Sequence, residues 1–235
     1  MSALFITATG TGIGKTFVTA ALIRECRRRG RVVEALKPVV SGFEDDDVAS
    51  SDPGILLAAL GLPVSRKALD LIAPWRFKAA LAPDLAADRE GRSLDFDAVL
   101  GFSQRAVAAA SGVLLIEGIG GIMVPLDTGR TVLDWMSALR LPVLLVVGSY
   151  LGTISHSLSA LEVLRQRSLG VTALIVNETP GSSVALDDTA AAIARFTRPI
   201  EVLALPFLAD ATEEHPTIGR VADLLCASDA RSGIS

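Results

Sequence analysis

Histidine is nearly absent: His156 and His215 are the only two in 235 residues. That excludes a histidine-rich metal centre and argues against a serine–histidine hydrolase. Cysteine is as scarce. Cys26 and Cys226 are widely separated, and the short apolar start runs directly into a glycine-rich loop rather than a signal peptide, so a reducing, cytoplasmic compartment is expected. No apolar run approaches the ~20 residues needed to cross a bilayer; the strongest, 141–148, contains a proline and has strand length. Positive charge is also short. Lys and Arg number 22 against 26 Asp and Glu, a net charge of −4, which leaves no basic footprint for nucleic acid. The only basic cluster, Arg27-Arg28-Arg29 with Arg31, falls at the end of a predicted helix, where cations favour the helix dipole. Neither nucleic acid nor membrane is expected as a partner. Internal repeats and low-complexity segments are missing too.

What is present is apolar and regular. Half of the residues are hydrophobic and a fifth are charged, which suits one α/β domain with a large core. Short β-branched runs near 3–8, 32–36, 113–117, 142–147, 171–176 and 200–205 alternate with helix-length amphipathic stretches near 14–29, 95–110, 153–168 and 185–196. That alternation predicts a mostly parallel sheet with helices on both faces. The domain is expected to span 1–227, with a flexible tail over 228–235. Residues 38–94 read as a less regular insertion over the strand ends, with five prolines, the acidic run Glu44-Asp45-Asp46-Asp47 and a short helix around Ile55 to Leu60. The acidic run reads as a solvated, mobile loop.

Ligands in such sheets collect at the carboxyl ends of the strands. Three strand ends carry polar or glycine-rich turns. After Leu4-Phe5-Ile6 comes Ala8-Thr9-Gly10-Thr11-Gly12-Ile13-Gly14-Lys15-Thr16, a phosphate-binding loop between a strand and a helix, although Thr9 stands where the usual pattern has its first glycine. Its backbone N–H groups can turn toward an anion, Lys15 neutralises phosphate oxygens and the Thr16 hydroxyl can ligate magnesium. The chain is therefore expected to be a single-domain P-loop NTPase. Lys37-Pro38-Val39-Val40-Ser41-Gly42 places a second lysine near the loop, suited to a reaction whose partners are both anionic. Glu117, after Val113-Leu114-Leu115-Ile116 and before Gly118-Ile119-Gly120-Gly121, sits where P-loop enzymes place an acid that holds magnesium. Asp52, before Pro53, offers either a second carboxylate or a helix cap.

Together these segments resemble the dethiobiotin synthetase family. The resemblance runs in order over nearly the whole chain and adds Ser51-Asp52, Pro125-Leu126, Leu141-Pro142-Val143, Leu151-Gly152-Thr153-Ile154-Ser155-His156, Asn177 and Leu205-Pro206-Phe207-Leu208. It implies ring closure of 7,8-diaminopelargonic acid with carbon dioxide and ATP, through a carbamate that takes the γ-phosphoryl group, with magnesium and in a homodimer. It further implies that Lys15, Lys37 and Thr11 stand at the reacting groups, that Thr16, Asp52 and Glu117 hold magnesium, and that Gly12, Ile13, Gly14, Phe17, Gly118, Ile119 and Gly120 line the nucleotide. Adenine would lie against Asn177, Pro206, Phe207 and Leu208, with Glu213 beside it. The diamine would meet Ser41 and Thr11, and its carboxylate tail would reach Gly152, Thr153, Ile154 and Ser155 of a partner subunit. The chain departs from the family pattern at Gly10, where an acid is usual, at Pro83-Asp84, where Pro-His is usual, and at Ser155, where asparagine is expected. The rival readings are a partitioning or cell-division switch ATPase and a non-catalytic nucleotide-binding protein. The first lacks support, because its signature lysine would fall at Gly10.

Overall fold

A computed structural model describes residues 2–232. In chain order they form β1 (Ser2–Ala8), α1 (Lys15–Arg28), β2 (Val33–Leu36), β3 (Val39–Ser41), α2 (Asp52–Leu60), α3 (Arg66–Ile72), β4 (Trp75–Phe77), α4 (Pro83–Arg89), α5 (Phe96–Ala109), β5 (Val113–Glu117), α6 (Val132–Leu139), β6 (Val143–Gly148), α7 (Thr153–Gln166), β7 (Val171–Asn177), α8 (Leu186–Ala194), β8 (Glu201–Leu205) and α9 (Pro216–Ser232). Six strands make one sheet in the order β2-β5-β1-β6-β7-β8, and every pairing is parallel. Every residue of β5 and β6 is buried, which is why their sequences are apolar almost without alternation.

The register positions the site. Ile6 of β1 lies opposite Glu117 of β5, and Ala8 lies opposite Val146 of β6. The loops leaving β1 and β5 therefore start side by side. Gly118 N donates to Ile6 O at 2.9 Å and Thr9 N to Val146 O at 3.3 Å. Beneath them Phe5 and Trp135, both fully buried, meet edge to face with ring centroids 4.9 Å apart, and Trp135 Nε1 donates to Ser103 Oγ at 3.2 Å. Outside the sheet, α1 packs against α2 and α9, α5 against α6, and α7 against α8. Burial pushes the Cys26 thiol up to about 11, so it behaves as a small apolar side chain.

The segment from 38 to 94 is more regular than its composition implies. β3 and β4 form a separate two-stranded parallel sheet, with Val39 opposite Trp75 and Ser41 opposite Phe77. Strands of three residues paired across so long an interval leave no local periodicity to read. The short helix begins at Asp52, and its cap is Ser51, whose Oγ accepts from Gly54 N at 3.3 Å. The acidic run Glu44 to Asp47 is exposed and outside helix and strand. Four helices that the periodicity did not reveal stand among the described residues, α3 and α4 within this segment and α6 and α9 beyond it. α9 continues to Ser232, into the segment expected as a tail, and of that tail 233–235 lie outside the described residues.

Candidate active site

β1 ends at Ala8 and α1 begins at Lys15, so six residues must turn a full reversal while pointing N–H groups inward. Gly12 and Gly14 take positive φ, 71° and 96°, which glycine adopts without strain. At Gly14 a side chain would also strike Asn177 Nδ2. That amide donates to Ile13 O at 3.0 Å, tying the end of β7 to the phosphate loop. The 14-residue α1 directs its N-terminus at the same point, and its positive end favours an anion there.

Behind the loop is a compact charged cluster. Lys15 Nζ donates to Gly10 O at 3.2 Å. Burial, reinforced by the neighbouring Lys37 cation and only partly opposed by Glu117 and Asp52, lowers its pKa to about 8. Lys37 leaves the end of β2, locked in place by Pro38, and is 2% exposed. Its ammonium contacts Glu117 Oε1 at 2.7 Å, Gly118 O at 2.8 Å and Asp52 Oδ2 at 3.0 Å. Burial works against that ammonium, but Glu117 and Asp52 outweigh it and hold its pKa above the ordinary lysine value. For Asp52 burial is likewise outweighed, by Lys37 and the Thr16 hydroxyl, and the carboxyl stays below its usual range.

Thr16 Oγ1 lies 2.7 Å from Asp52 Oδ1 and 2.8 Å from Glu117 Oε1. Glu117 is fully buried, and its Oε2 has no hydrogen-bond partner among the described residues. A hydroxyl and two carboxylates, one with an orphaned buried oxygen, make the hard, all-oxygen donor set that magnesium takes. No group of three or more His, Cys, Asp or Glu converges among the described residues. Such an ion would complete its shell with water or phosphate oxygens.

These groups open on a cleft of about 760 Å³. It is lined by Thr11, Gly12, Gly14, Lys15 and Thr16 of the phosphate loop, by Lys37, Ser41 and Asp52, and by Ile119 and Gly120 of the loop after β5. Ile13 and Gly118 contribute main-chain oxygens to the cluster, bound by Asn177 and Lys37. Phe17 points into the packing of α1 against the core. Sequence reasoning missed the wall made by Ala80, Leu81, Ala82, Pro83 and Val124. Its only local signal was Pro83 in the first turn of α4.

The remaining expected residues lie outside that cleft. Pro206, Phe207 and Leu208 follow β8, one strand beyond Asn177, with Phe207 61% exposed and its N–H donating to Glu178 Oε2 at 2.8 Å. Glu213 Oε1 accepts from Ala209 N and Asp210 N at 3.1 and 3.2 Å, bracing that loop. Gly152, Thr153, Ile154 and Ser155 begin α7 after β6, next to Tyr150, whose Oη lies 2.9 Å from His156 Nδ1.

A glycine-bent loop between a central parallel strand and a helix, with Lys15 and Thr16 at its end and acids converging on it, defines a P-loop nucleotide-binding protein. The family model described as "AAA domain" matches residues 2–215. The chain is 52% identical to the ATP-dependent dethiobiotin synthetase BioD of Methylobacterium nodulans, over 83% of this chain and 89% of that one. It is 51% identical to its counterpart from Caulobacter sp. over 83% and 84%. It belongs to the ATP-dependent dethiobiotin synthetase family. Among solved structures, the septum site-determining protein MinD of Pyrococcus horikoshii, in complex with Mg-ADP, superposes with a TM-score of 0.56 at 17% identity, covering 99% of this chain and 98% of that one. That likeness is one of fold.

Proposed function

We propose that the chain makes dethiobiotin from 7,8-diaminopelargonic acid, carbon dioxide and ATP, releasing ADP and phosphate, as a step of biotin synthesis. The observation that carries this reading is the convergence of two buried lysines, Lys15 and Lys37, on one cleft that also holds Thr16 and Asp52, with Glu117 in contact with Lys37 and Thr16. A nucleotide alone needs one such lysine. A second suits a reaction in which an anionic carbamate meets an anionic phosphate, since held apart by water the two would repel.

In this reading an amine of the substrate attacks carbon dioxide and loses a proton to give the carbamate. A carbamate oxygen takes the γ-phosphoryl group from ATP, and ADP departs. The second amine then attacks the carbamoyl carbon, phosphate leaves and the ring closes. Lys15 and the N–H groups of the phosphate loop hold the β- and γ-phosphates. Lys37 stands where the carbamate and the transferring phosphoryl group meet and stabilises charge that grows in the transition state. Ser41 and Thr11, both lining the cleft, orient the diamine. Thr16, Asp52 and Glu117 would hold magnesium, which when bound neutralises charge on the phosphates.

Asn177 and the 206–208 segment would receive adenine, with the Asn177 carbonyl oxygen still available to a purine amino group because its N–H is used on Ile13. The N-terminus of α7, with Gly152 to Ser155, does not line the cleft of its own chain, which supports its serving the substrate carboxylate of a second copy in a homodimer. Among the described residues no helix is long and apolar enough to cross a membrane, in keeping with a cytoplasmic enzyme.

The test is direct. Purified protein incubated with diaminopelargonic acid, bicarbonate, magnesium and ATP yields dethiobiotin by mass spectrometry, and its absence under conditions where ATP binds refutes the reading. Lys37→Ala is expected to lower turnover by about 10³-fold with ATP affinity changed little; normal turnover at saturation contradicts its assigned role.

A further inference from the structure

Lys37 is already fully engaged in the free protein. An ammonium has three N–H donors, and the three oxygens around Lys37 Nζ, from Glu117, Gly118 and Asp52, lie at 2.7, 2.8 and 3.0 Å. None is left for a phosphate or a carbamate. Thr16 Oγ1 touches one oxygen of each carboxylate, the second oxygen of Asp52 and the same Glu117 Oε1 that Lys37 holds. A hydroxyl has a single hydrogen, so one of those two contacts brings oxygen against oxygen with no proton between them. Of the oxygens gathered there, Glu117 Oε1 is served by the Lys37 ammonium, and among the described residues Glu117 Oε2 has no partner and the one cation in direct contact with both acids is that ammonium. Glu117 is fully buried and Asp52, 40% exposed, stands against the same ammonium; a carboxylate sunk as deeply as Glu117 requires a counter-charge.

We infer that Lys37 is a stand-in for the metal. While magnesium and nucleotide are absent its ammonium neutralises Asp52 and Glu117, and binding of a divalent cation by those carboxylates and Thr16 frees the ammonium for the reacting anions. The inference rests on the proposed ATP-dependent chemistry of this cleft and concerns the order in which its charges are met. Its consequence is a built-in interlock: the lysine that stabilises phosphoryl transfer is withheld until the metal is in place, so metal-free nucleotide meets a site with one working cation. It also predicts that empty wild-type protein holds magnesium weakly, because the ion must displace a lysine from three good contacts.

The experiment uses the full chain without nucleotide or diamine, and compares thermal unfolding in EDTA and in millimolar magnesium. For wild type the shift is expected to stay within about 1 °C. Lys37→Met is expected to melt lower in EDTA and to recover by about 4–8 °C or more with magnesium, as a ligand that binds only the folded state stabilises it. Lys37→Met with Glu117→Gln is expected to lose that recovery. Equal magnesium shifts in wild type and Lys37→Met, a recovery that survives Glu117→Gln, or a Lys37→Met chain that stays unfolded with magnesium would each overturn the inference, since the ion would then not replace the ammonium. A second measurement needs no destabilised variant. The ¹⁵N signal of the Lys37 ammonium, assigned by its loss in Lys37→Arg, is expected to be protected from exchange in EDTA and to move when magnesium and a non-hydrolysable ATP analogue are added together, but not with the analogue in EDTA; an identical response in both arms overturns it. None of these readouts involves dethiobiotin, so they stand or fall separately from the assay of the proposed reaction.

Discussion

Lys15 gives the clearest handle on single-residue chemistry. Its pKa is lowered from 10.5 to about 8, chiefly by burial, so in the empty protein it loses its proton at mildly alkaline pH. Two opposite slopes follow. A lysine whose folded value is depressed binds fewer protons folded than unfolded between the two values, so its contribution makes the empty protein more stable as pH rises from about 8 toward 10.5. Nucleotide affinity runs the other way, because phosphate needs the charged form: it is expected to be flat below about pH 8 and to weaken above it by up to about tenfold per pH unit. Calorimetric titrations in two buffers of different ionisation enthalpy check this. Proton uptake on ATP binding should rise from near zero below pH 7 toward one proton above pH 8, and a constant uptake across that range would show that Lys15 is not the titrating group.

Among the elements, the two loops that leave β1 and β5 are packed against each other with nothing to spare. A Cβ on Gly121 would stand 3.0 Å from Thr9 O and 3.1 Å from Thr9 C, backbone that cannot rotate away. Gly121→Ala is therefore expected to push the phosphate loop off position, to weaken ATP binding by about tenfold or more and to cost about 1–3 kcal/mol of stability, as overpacking does. Gly170, with nothing within 4 Å of its added Cβ, serves as the neutral comparison. ATP titration and thermal melts of the two variants decide it. This contact also shows what the chain disclosed by itself. Strands β1, β5, β6 and β7 were legible because burial on both sides forces unbroken apolar runs, and the residues at their ends, Lys15, Thr16 and Glu117, followed from that. Asp52 was ambiguous between cap and ligand until Ser51 took the cap. The wall from Ala80 to Pro83 was not legible, because it depends on β3 finding β4 across more than 30 residues, a pairing that three-residue strands do not advertise. α6 is short and α9 is rich in polar residues, so neither shows a strong helical period.

For the molecule as a whole, assembly is the next question. Leu151 is 84% exposed beside the start of α7, and Met123, in the loop after β5, is 56% exposed. Both follow strand ends on the side that carries the cleft. A dimer that covers this face is expected in solution, and Leu151→Asp is expected to shift the chain toward monomer in analytical ultracentrifugation and to depress turnover with it, while ATP binding by the single chain persists. A monomeric wild-type chain with full turnover would contradict this. Buried aromatic packing also has an optical meaning. Trp135 is sealed from water against Phe5, and a side chain on Gly118 would meet that Phe5 ring at 2.9 Å. The indole thus lies one ring away from the loop after β5, and its emission, short in wavelength and shielded from acrylamide, makes an unlabelled reporter of that loop. Trp75, on β4 and half-buried, reports from the separate small sheet, so a Trp75→Phe chain carries a single tryptophan, under the site, which excitation at the red edge of its absorption separates from Tyr150.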